Sequence, residues 1–294
     1  MPTGAMPAAE VQVEEPLVRA LLDDQHPDLV RLPLRRFANG WDNVSFRLGD
    51  ELVVRLPRRE AAARLVEHEQ RWLPQLASRL PLPVPVPVRT GRPALGYPWS
   101  WSVCRWLDGE PAASSPLRDG SAAALELGAF LAALHRPAPH DAPANPFRGV
   151  PLADGDATVR DRLGQLADVV DTEPLVAAWD AALTQPPWSG PPLWLHGDLH
   201  PLNVLVADGR VAGVIDFGDI TAGDPATDLA VAWMLLPAPD RDVFRGVCGV
   251  DDATWARARG WALLLGLAYL AASSGAAELE RVGRLTLRAV LDER

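Results

Sequence analysis

Hydrophobic and polar residues follow a strand-like pattern in the first third of the chain. Residues 44–48 and 52–56 alternate apolar with polar side chains, or run apolar, on either side of Gly49 and Asp50, which predicts a β-hairpin. Residues 97–107 are rich in aromatic and β-branched residues and predict a further strand, with the proline-rich residues 81–93 leading into it as an extended connection. Helical spacing of apolar residues predicts two helices here, at residues 11–25 and 58–79.

Beyond Gly109 the pattern becomes mostly helical. Ser121 is predicted to cap the first helix of this part. The predicted helices span residues 122–135, 155–170, 173–183, 225–236, 252–273 and 276–291. Two short strands are predicted at residues 203–207 and 211–215, around the turn Asp208 and Gly209. The order of elements predicts an α+β protein with a β-rich first part and a mostly helical second part, joined near residues 105–108.

Length and charge narrow the class of protein. A chain of 294 residues fits a two-lobed enzyme or two modest domains, and its 48% hydrophobic content is enough for a sizeable core. The net charge of −10 and the isoelectric point near 5.1 argue against nucleic acid or an anionic membrane as a partner. They favour a small cationic partner, or a partner without charge.

The cysteines and the apolar segments predict a soluble, cytoplasmic protein. Cys104 and Cys248 form no CxxC pair, so a disulfide framework or a zinc site is not expected. The first 16 residues lack the basic and apolar regions of a signal peptide. The longest apolar run, residues 261–272, is too short for a bilayer and predicts a buried helix. The oligomeric state is left open.

The most informative segment runs from His196 to Asn203 and reads HGDLHPLN; it is followed by VIDFG at residues 214–218. Protein kinases place an Asp, an Asn and a second Asp in a similar order, in the motifs HRDLxxxxN and DFG. One carboxylate can orient a hydroxyl nucleophile, while an amide oxygen and a second carboxylate can hold Mg²⁺ against nucleotide phosphates. Asp198, Asn203 and Asp216 are therefore candidates for phosphoryl transfer.

In this form the two motifs resemble the aminoglycoside phosphotransferase family, small-molecule kinases built on the protein-kinase fold. The resemblance implies a two-lobed fold, with a small β-rich N-lobe at residues 1–105 and a helical C-lobe at residues 106–294 that carries the catalytic loop and the acceptor pocket. It also implies an O-phosphotransferase that uses Mg²⁺ and ATP or GTP to modify a small hydroxylated acceptor.

The resemblance gives each residue of the catalytic loop a role. Asp198 would face the acceptor hydroxyl, and its competing interpretation is a helix cap or a surface carboxylate. Asn203 and Asp216 would bind the metal, although a lone Asn before a strand is usually a turn residue. His200 aligns with the lysine that reaches the γ-phosphate in protein kinases, and a solvent-facing turn histidine is the equal alternative.

Two further residues are predicted to support this loop. His196 is expected to stabilise it by hydrogen bonding rather than to act as a base. Asp228 resembles the buried carboxylate that ties the catalytic loop to the next helix, and an N-terminal helix carboxylate is its alternative. His135 and His140 are interpreted as structural.

In the first lobe, residues 39–45 take the place of the loop that covers the nucleotide. Gly40 permits a tight turn, and Asn43 and Ser45 offer donors to phosphate oxygens, with an ordinary hairpin turn as the alternative. Arg105 and Leu107, at the expected hinge, are assigned to the nucleotide site, and Trp106 to the wall of the adenine pocket.

The main departure from the family is Arg55. The family has a lysine here, held by a glutamate, but all 28 basic residues of this chain are arginine. Arginine stays charged and can grip phosphate by two hydrogen bonds. Glu69 is the expected partner and Glu67 the fallback, and a surface arginine on a strand is the alternative for Arg55.

Three functions are compatible with these residues. The first is an antibiotic kinase that acts on a cationic amino sugar, suggested by the acidic balance and by Asp219 and Asp224 beside the motif. The second is a metabolite or biosynthetic kinase, acting for example on an amino alcohol or a sugar. The third is a catalytically silent kinase-like binding module, suggested by the missing lysine. The acceptor, its regiochemistry and the choice of ATP or GTP are left open.

Overall fold

The computed structural model describes residues 7–273 and 277–292. The first six residues of the segment that was assessed for a signal peptide lie outside the described residues. The first part of the molecule is a five-stranded antiparallel sheet, formed by β1 (Leu34–Asn39), β2 (Asn43–Leu48), β3 (Leu52–Pro57), β4 (Pro87–Gly91) and β5 (Trp101–Arg105). The spatial order is β1-β2-β3-β5-β4. This order places β3 in the middle of the sheet.

The predicted hairpin is confirmed. β2 and β3 pair from Asn43 opposite Pro57 to Leu48 opposite Leu52, and Gly49 at the turn has a φ of 60° that suits glycine. Every second residue of β2 is buried, as a sheet covered on one face requires.

β1 was not predicted. It is an edge strand whose central residues are largely exposed, and Arg35 and Arg36 interrupt the apolar pattern. Charged side chains are common on edge strands because they discourage pairing with other chains.

Both helices predicted in this part are present, and they pack on the sheet. α1 (Glu15–Gln25) contacts β1, while α2 (Glu60–Ala77) contacts β3, β4 and β5. The core of this part joins residues of α1, such as Leu21 and Leu22, to Phe46, Tyr97 and Trp101.

The second part is mainly helical. Its helices are α3 (Gly120–Leu134), α4 (Asp156–Gln165), α5 (Thr172–Leu183), α6 (Ala226–Leu229), α7 (Val231–Leu235), α8 (Ala238–Cys248), α9 (Asp252–Ala271) and α10 (Ala277–Leu291). α9 is buried along most of its length and packs against α4, α5, α6, α7 and α10. Its burial confirms the interpretation of the apolar run at residues 261–272 as a buried helix. The predicted start of the last helix, residue 276, lies outside the described residues.

One prediction about the helices was wrong, and one helix was not predicted. The cap of α3 is Asp119 and not Ser121, because the Asp119 carboxylate accepts a hydrogen bond of 3.0 Å from the backbone N–H of Ala122. α8 was missed, although Pro239 near its start and the left-handed Gly249 after its end are ordinary helix boundary signals.

Short strands position the two loops that carry the motif residues. β6 (Glu110–Pro111), β8 (Val204–Ala207) and β9 (Arg210–Val214) form one sheet, and β7 (Leu193–Leu195) pairs with β10 (Thr221–Gly223) in another. β8 and β9 match the predicted strands. The loop at residues 196–203 therefore joins β7 to β8, and the loop at residues 215–220 joins β9 to β10. Within residues 7–273 and 277–292, no helix combines the length and the apolar character needed to cross a membrane.

Candidate active site

The two motif loops pack directly against each other at Gly197. This residue has a φ of 85°, and a Cβ atom built on it would lie 2.2 Å from the backbone oxygen of Asp219. Only glycine fits both the left-handed backbone and this close approach. The HGD sequence thus has a structural requirement for its central residue.

A buried carboxylate holds the start of the first loop. Asp228 is fully buried on α6 and accepts hydrogen bonds from the backbone N–H groups of His196, at 2.8 Å, and Gly197, at 2.9 Å. His135 Nε2 lies 3.2 Å from the same carboxylate. Burial would raise the pKa of Asp228, but its interactions with His135, His196 and Gly197 lower it overall. The carboxylate therefore stays charged and fixes the loop to α6.

Asp198 is held by two side chains. Arg148 Nη2 donates to Asp198 Oδ1 at 3.0 Å, and His200 Nε2 lies 3.2 Å from Asp198 Oδ2. Burial would raise the pKa of Asp198, but His200 and Arg148 lower it well below its usual range. The Asp198 side chain is 18% exposed, so the ionised carboxylate is in contact with solvent.

The two histidines of the motif are both buried, which excludes a solvent-facing His200. His200 Nδ1 accepts from the backbone N–H of Leu202 at 3.2 Å, and its Nε2 lies 3.2 Å from Asp198 Oδ2 and 3.1 Å from Asn203 Nδ2. His196 Nδ1 accepts from the N–H of Asp198 at 3.2 Å, and its Nε2 donates to the carbonyl of Ile215 at 2.9 Å. His196 thereby links the two loops.

Asn203 and Asp216 lie at the junction of these loops. Asn203 Nδ2 donates to the backbone oxygen of Asp198 at 2.9 Å, and the N–H of Ile215 donates to the backbone oxygen of Asn203 at 2.9 Å. Asp216 has a φ of 63°, a left-handed conformation uncommon for a residue with a Cβ atom, and its side chain is 55% exposed.

This donor set suits Mg²⁺. Because the amide nitrogen of Asn203 is used inside the loop, its amide oxygen is the atom left for a cation, and Asp216 adds a carboxylate. Mg²⁺ prefers oxygen ligands and usually takes only one or two from protein, with the rest from phosphate and water. Within the described ranges no cluster of three or more His, Cys, Asp or Glu side chains forms a metal site.

Arg55 pairs with Glu69, the partner predicted for it. Its Nη1 donates to both carboxylate oxygens of Glu69, at 2.9 and 2.8 Å, and its Nη2 donates to Asp216 Oδ1 at 3.1 Å. Arg55 is only 12% exposed, so the surface interpretation is wrong. The fallback partner Glu67 instead lies beside Ser100, whose hydroxyl is 3.4 Å from its carboxylate. Burial would lower the pKa of Arg55, but the charges of Glu69 and Asp216 raise it overall, so the guanidinium stays charged.

A cavity of about 370 Å³ lies between the sheet and the short strands β6 and β8, a volume within the range of ligand sites. It brings together all but one of the predicted nucleotide residues, and Asp216 lies at its edge. The predicted residues that line it are Gly40, Asn43, Ser45, Arg55, Arg105 and Leu107. Trp106 also lines it, whereas Glu69 lies behind Arg55 and does not. The turn of the covering loop is closed by the Gly40 N–H, which donates to the Asn43 carbonyl at 2.9 Å.

Three residues near the catalytic loop were not predicted: Arg148, Asn145 and Tyr269. Arg148 and Asn145 come from a proline-rich connection without periodicity, and Asn145 Nδ2 donates to Asp219 Oδ1 at 2.7 Å. The ring of Tyr269, on α9, is tilted against the ring of His200, with 5.2 Å between the ring centres. Their positions depend on tertiary packing, and no short-range signal in the sequence indicates them.

The prediction for Asp224 was wrong. Asp224 is buried and receives hydrogen bonds of 2.8 and 3.1 Å from Arg257, so its charge is neutralised inside the protein. Asp219 does lie near Asp198, and burial together with the Asp198 charge raises the pKa of Asp219.

A five-stranded sheet with its helices, a mainly helical second part and a cavity between the sheet and the short strands of the second part define the protein-kinase-like class of fold. The model of the phosphotransferase enzyme family (APH) matches residues 33–261, more than half of the chain, and the chain belongs to this family.

Solved structures with the same fold include antibiotic kinases. The GDP complex of wild-type aminoglycoside 2'-phosphotransferase-IIIa is 18% identical at a TM-score of 0.73, over 96% of this chain and 100% of that one. Macrolide 2'-phosphotransferase MphH from Brachybacterium faecium, an apoenzyme, is 22% identical at a TM-score of 0.59, over 92% and 97%. The streptomycin-ATP-APH(2")-IIa ternary complex is 16% identical at a TM-score of 0.59, over 95% and 97%. At these identities the likeness shows the fold. A search of curated protein sequences found no match.

Proposed function

We propose that the protein is an O-phosphotransferase that moves the γ-phosphate of ATP or GTP to a hydroxyl of a small molecule, with Mg²⁺ as cofactor. The observation that carries the proposal is the hydrogen-bonded network that joins Asp198, Asn203 and the strand end before Asp216, next to a cavity that Arg55 lines. Residues 1–105 would form the lobe that covers the nucleotide, and residues 106–294 the lobe with the catalytic loop and the acceptor pocket.

Each residue then has a role that follows from its surroundings. Arg55, held in place by Glu69, would bind the nucleotide phosphates, and Asn203 and Asp216 would hold Mg²⁺, which neutralises phosphate charge when bound. Asp198 would accept a hydrogen bond from the acceptor hydroxyl and orient its oxygen toward the γ-phosphorus. Its lowered pKa makes it a weak base, which suits a loose transition state in which positioning matters more than proton removal.

Two classes of acceptor have support. Asp219 near Asp198, together with the aminoglycoside and macrolide enzymes among the structural neighbours, supports a cationic antibiotic. The prediction of a cationic acceptor rested on Asp219 and Asp224, and Asp224 no longer supports it because it is buried and paired with Arg257. Arg148 places a positive charge in direct contact with Asp198. This charge supports the second class, a metabolite that is neutral or carries a negative charge.

The test is nucleotide consumption and product formation with Mg-ATP and Mg-GTP across aminoglycosides, macrolides, amino alcohols, sugars and hydroxy acids. We expect a phosphate ester from at least one acceptor, and a loss of activity of at least about 100-fold in Asp198→Ala. The exposed Asp168→Ala is the matched control and should retain full activity. Equal background turnover in the wild type and Asp198→Ala would instead favour the silent binding module. Turnover of amino alcohols, sugars or hydroxy acids without any antibiotic would reject the antibiotic assignment alone.

A further inference from the structure

A second, smaller cavity is lined by Arg148, the residue that donates to Asp198. It has a volume of about 110 Å³ and is lined by residues 146–148 and 150 of the connection after α3, by α4 and the turn before it, and by α9. Its walls are mainly apolar and include Phe147, Val150 and Leu264. Two arginines, Arg148 and Arg162, also line it. Apolar walls with a few charged groups are typical of a site for part of a small molecule.

Arg162 has an unusual environment for a guanidinium. It is 5% exposed, and within residues 7–273 and 277–292 it forms no ion pair. Its one hydrogen bond there runs from Nη1 to the carbonyl of Leu264 at 3.5 Å, the limit for such a bond, although a guanidinium has five N–H donors. Among the described residues no carboxylate pairs with this largely buried guanidinium, so an anion bound beside it would be favourable.

Two neighbours strengthen this conclusion. Arg148 is bound to Asp198 through Nη2, but its Nε is buried without an acceptor in the described structure, and the same holds for Trp261 Nε1 in the cavity wall. Burial and the nearby charge of Arg148 both lower the pKa of Arg162, against the smaller opposing effect of the exposed Asp161, so the two guanidinium groups repel each other. An anion bound beside them would offset that repulsion. The one carboxylate among the lining residues, Asp154, is exposed at the rim.

The size of the cavity limits the anion. A volume of 110 Å³ corresponds to roughly four water molecules at about 30 Å³ each, enough for a carboxylate with one or two carbon atoms. Arg148 lines this space and also donates to Asp198, so a ligand whose carboxylate occupies the cavity would lie next to the side chain that holds the Asp198 carboxylate.

We propose that this cavity is a carboxylate-binding part of the acceptor site, in which Arg162 binds the anion, and that the acceptor is a hydroxylated carboxylic acid. The assignment of the hydroxyl rests on the proposed phosphotransferase function. The binding of the carboxylate does not, because it depends on Arg162 and Arg148 alone.

The binding test compares acids with their neutral amides. Titration calorimetry would measure lactate and 3-hydroxybutyrate against lactamide and 3-hydroxybutyramide, with wild type, Arg162→Gln and a control. Arg160→Gln is the control, since Arg160 lies on the same helix but is exposed and pairs with Asp180. We expect the wild type and the control to bind at least one acid about tenfold more tightly than its amide, and Arg162→Gln to lose that preference.

Two binding results would overturn the proposal: equal binding of acids and amides by the wild type, or a preference for acids that survives in Arg162→Gln. The first needs no variant, so it decides the question even if Arg162→Gln fails to fold. Phosphotransfer from Mg-ATP to the same acids and amides separates the two proposals. Acid binding without a phosphorylated product from any acceptor would leave the carboxylate site and reject the phosphotransferase function. Phosphorylation of other acceptors without acid binding would support the phosphotransferase function and reject the carboxylate site.

Discussion

The replacement of lysine by Arg55 leads to a prediction about stability that is separate from catalysis. In Arg55→Met, Glu69 would remain buried at 2% exposure after losing both of its hydrogen bonds from Nη1. Removing one partner of a buried ion pair costs about 3–5 kcal/mol, because the other charge is left without compensation. The lost contact with the exposed Asp216 adds at most about 1 kcal/mol.

The double variant Arg55→Met/Glu69→Leu removes both charges together. Apolar residues that replace a buried pair are often neutral or stabilising, so we expect the double variant to unfold within about 1 kcal/mol of the wild type. It should therefore be more stable than Arg55→Met by roughly 3 kcal/mol, while neither variant binds nucleotide with wild-type affinity.

Urea unfolding followed by tryptophan fluorescence measures these differences, since the chain has 11 tryptophans. The folded state raises the pKa of Arg55, so its contribution is complete at every pH below its ordinary value and the comparison can be made at neutral pH. Arg71→Met, on the exposed face of α2, is the control and should change stability by less than about 1 kcal/mol. Equal unfolding midpoints for the single and double variants would refute the reasoning.

Three further predictions concern the surroundings of Asp198. Arg148→Gln removes a charge that lowers the pKa of Asp198, so this pKa should rise and the acid limb of the kcat/KM profile should move to higher pH. Tyr269→Phe removes a buried hydroxyl without a partner in the described structure, so the free energy of unfolding should stay unchanged or rise. Tyr97→Phe is the comparison, since it loses a 2.8 Å hydrogen bond and should lower the free energy of unfolding by about 1–2 kcal/mol. Gly197→Ala should lower the urea midpoint by the equivalent of roughly 2–4 kcal/mol, because its Cβ atom would meet a backbone oxygen.

The site residues that could be predicted from the sequence lie close to one another along the chain. Asp198 and Asn203 belong to one loop, and Asp216 follows the next hairpin, so their spacing is set by a turn and two short strands. The pairing of Arg55 with Glu69 was also accessible, because a strand and the helix after it must pack together for the apolar face of α2 to be buried. In such cases local geometry dictates the contact.

The residues that were missed depend on packing between distant segments. Arg148 contacts Asp198 although it lies 50 positions earlier, in an irregular connection. Tyr269, which lies on α9, contacts His200 from a still more distant part of the sequence. The burial of Asp224 was equally hidden, since its partner Arg257 lies 33 residues later. A sequence pattern reports periodicity and local caps, but it does not report which distant charge neutralises a carboxylate.

The most direct test of the active site is the Mg²⁺ dependence of nucleotide binding, which needs no knowledge of the acceptor. Titration calorimetry with a non-hydrolysable ATP or GTP analogue, with and without Mg²⁺, would compare wild type, Asn203→Ala, Asp216→Asn and the exposed control Asp168→Asn. We predict that Mg²⁺ strengthens binding to the wild type and the control by about tenfold or more, and that each of the other two variants loses most of this gain. Unchanged Mg²⁺ dependence in both Asn203→Ala and Asp216→Asn would contradict a metal site at these residues.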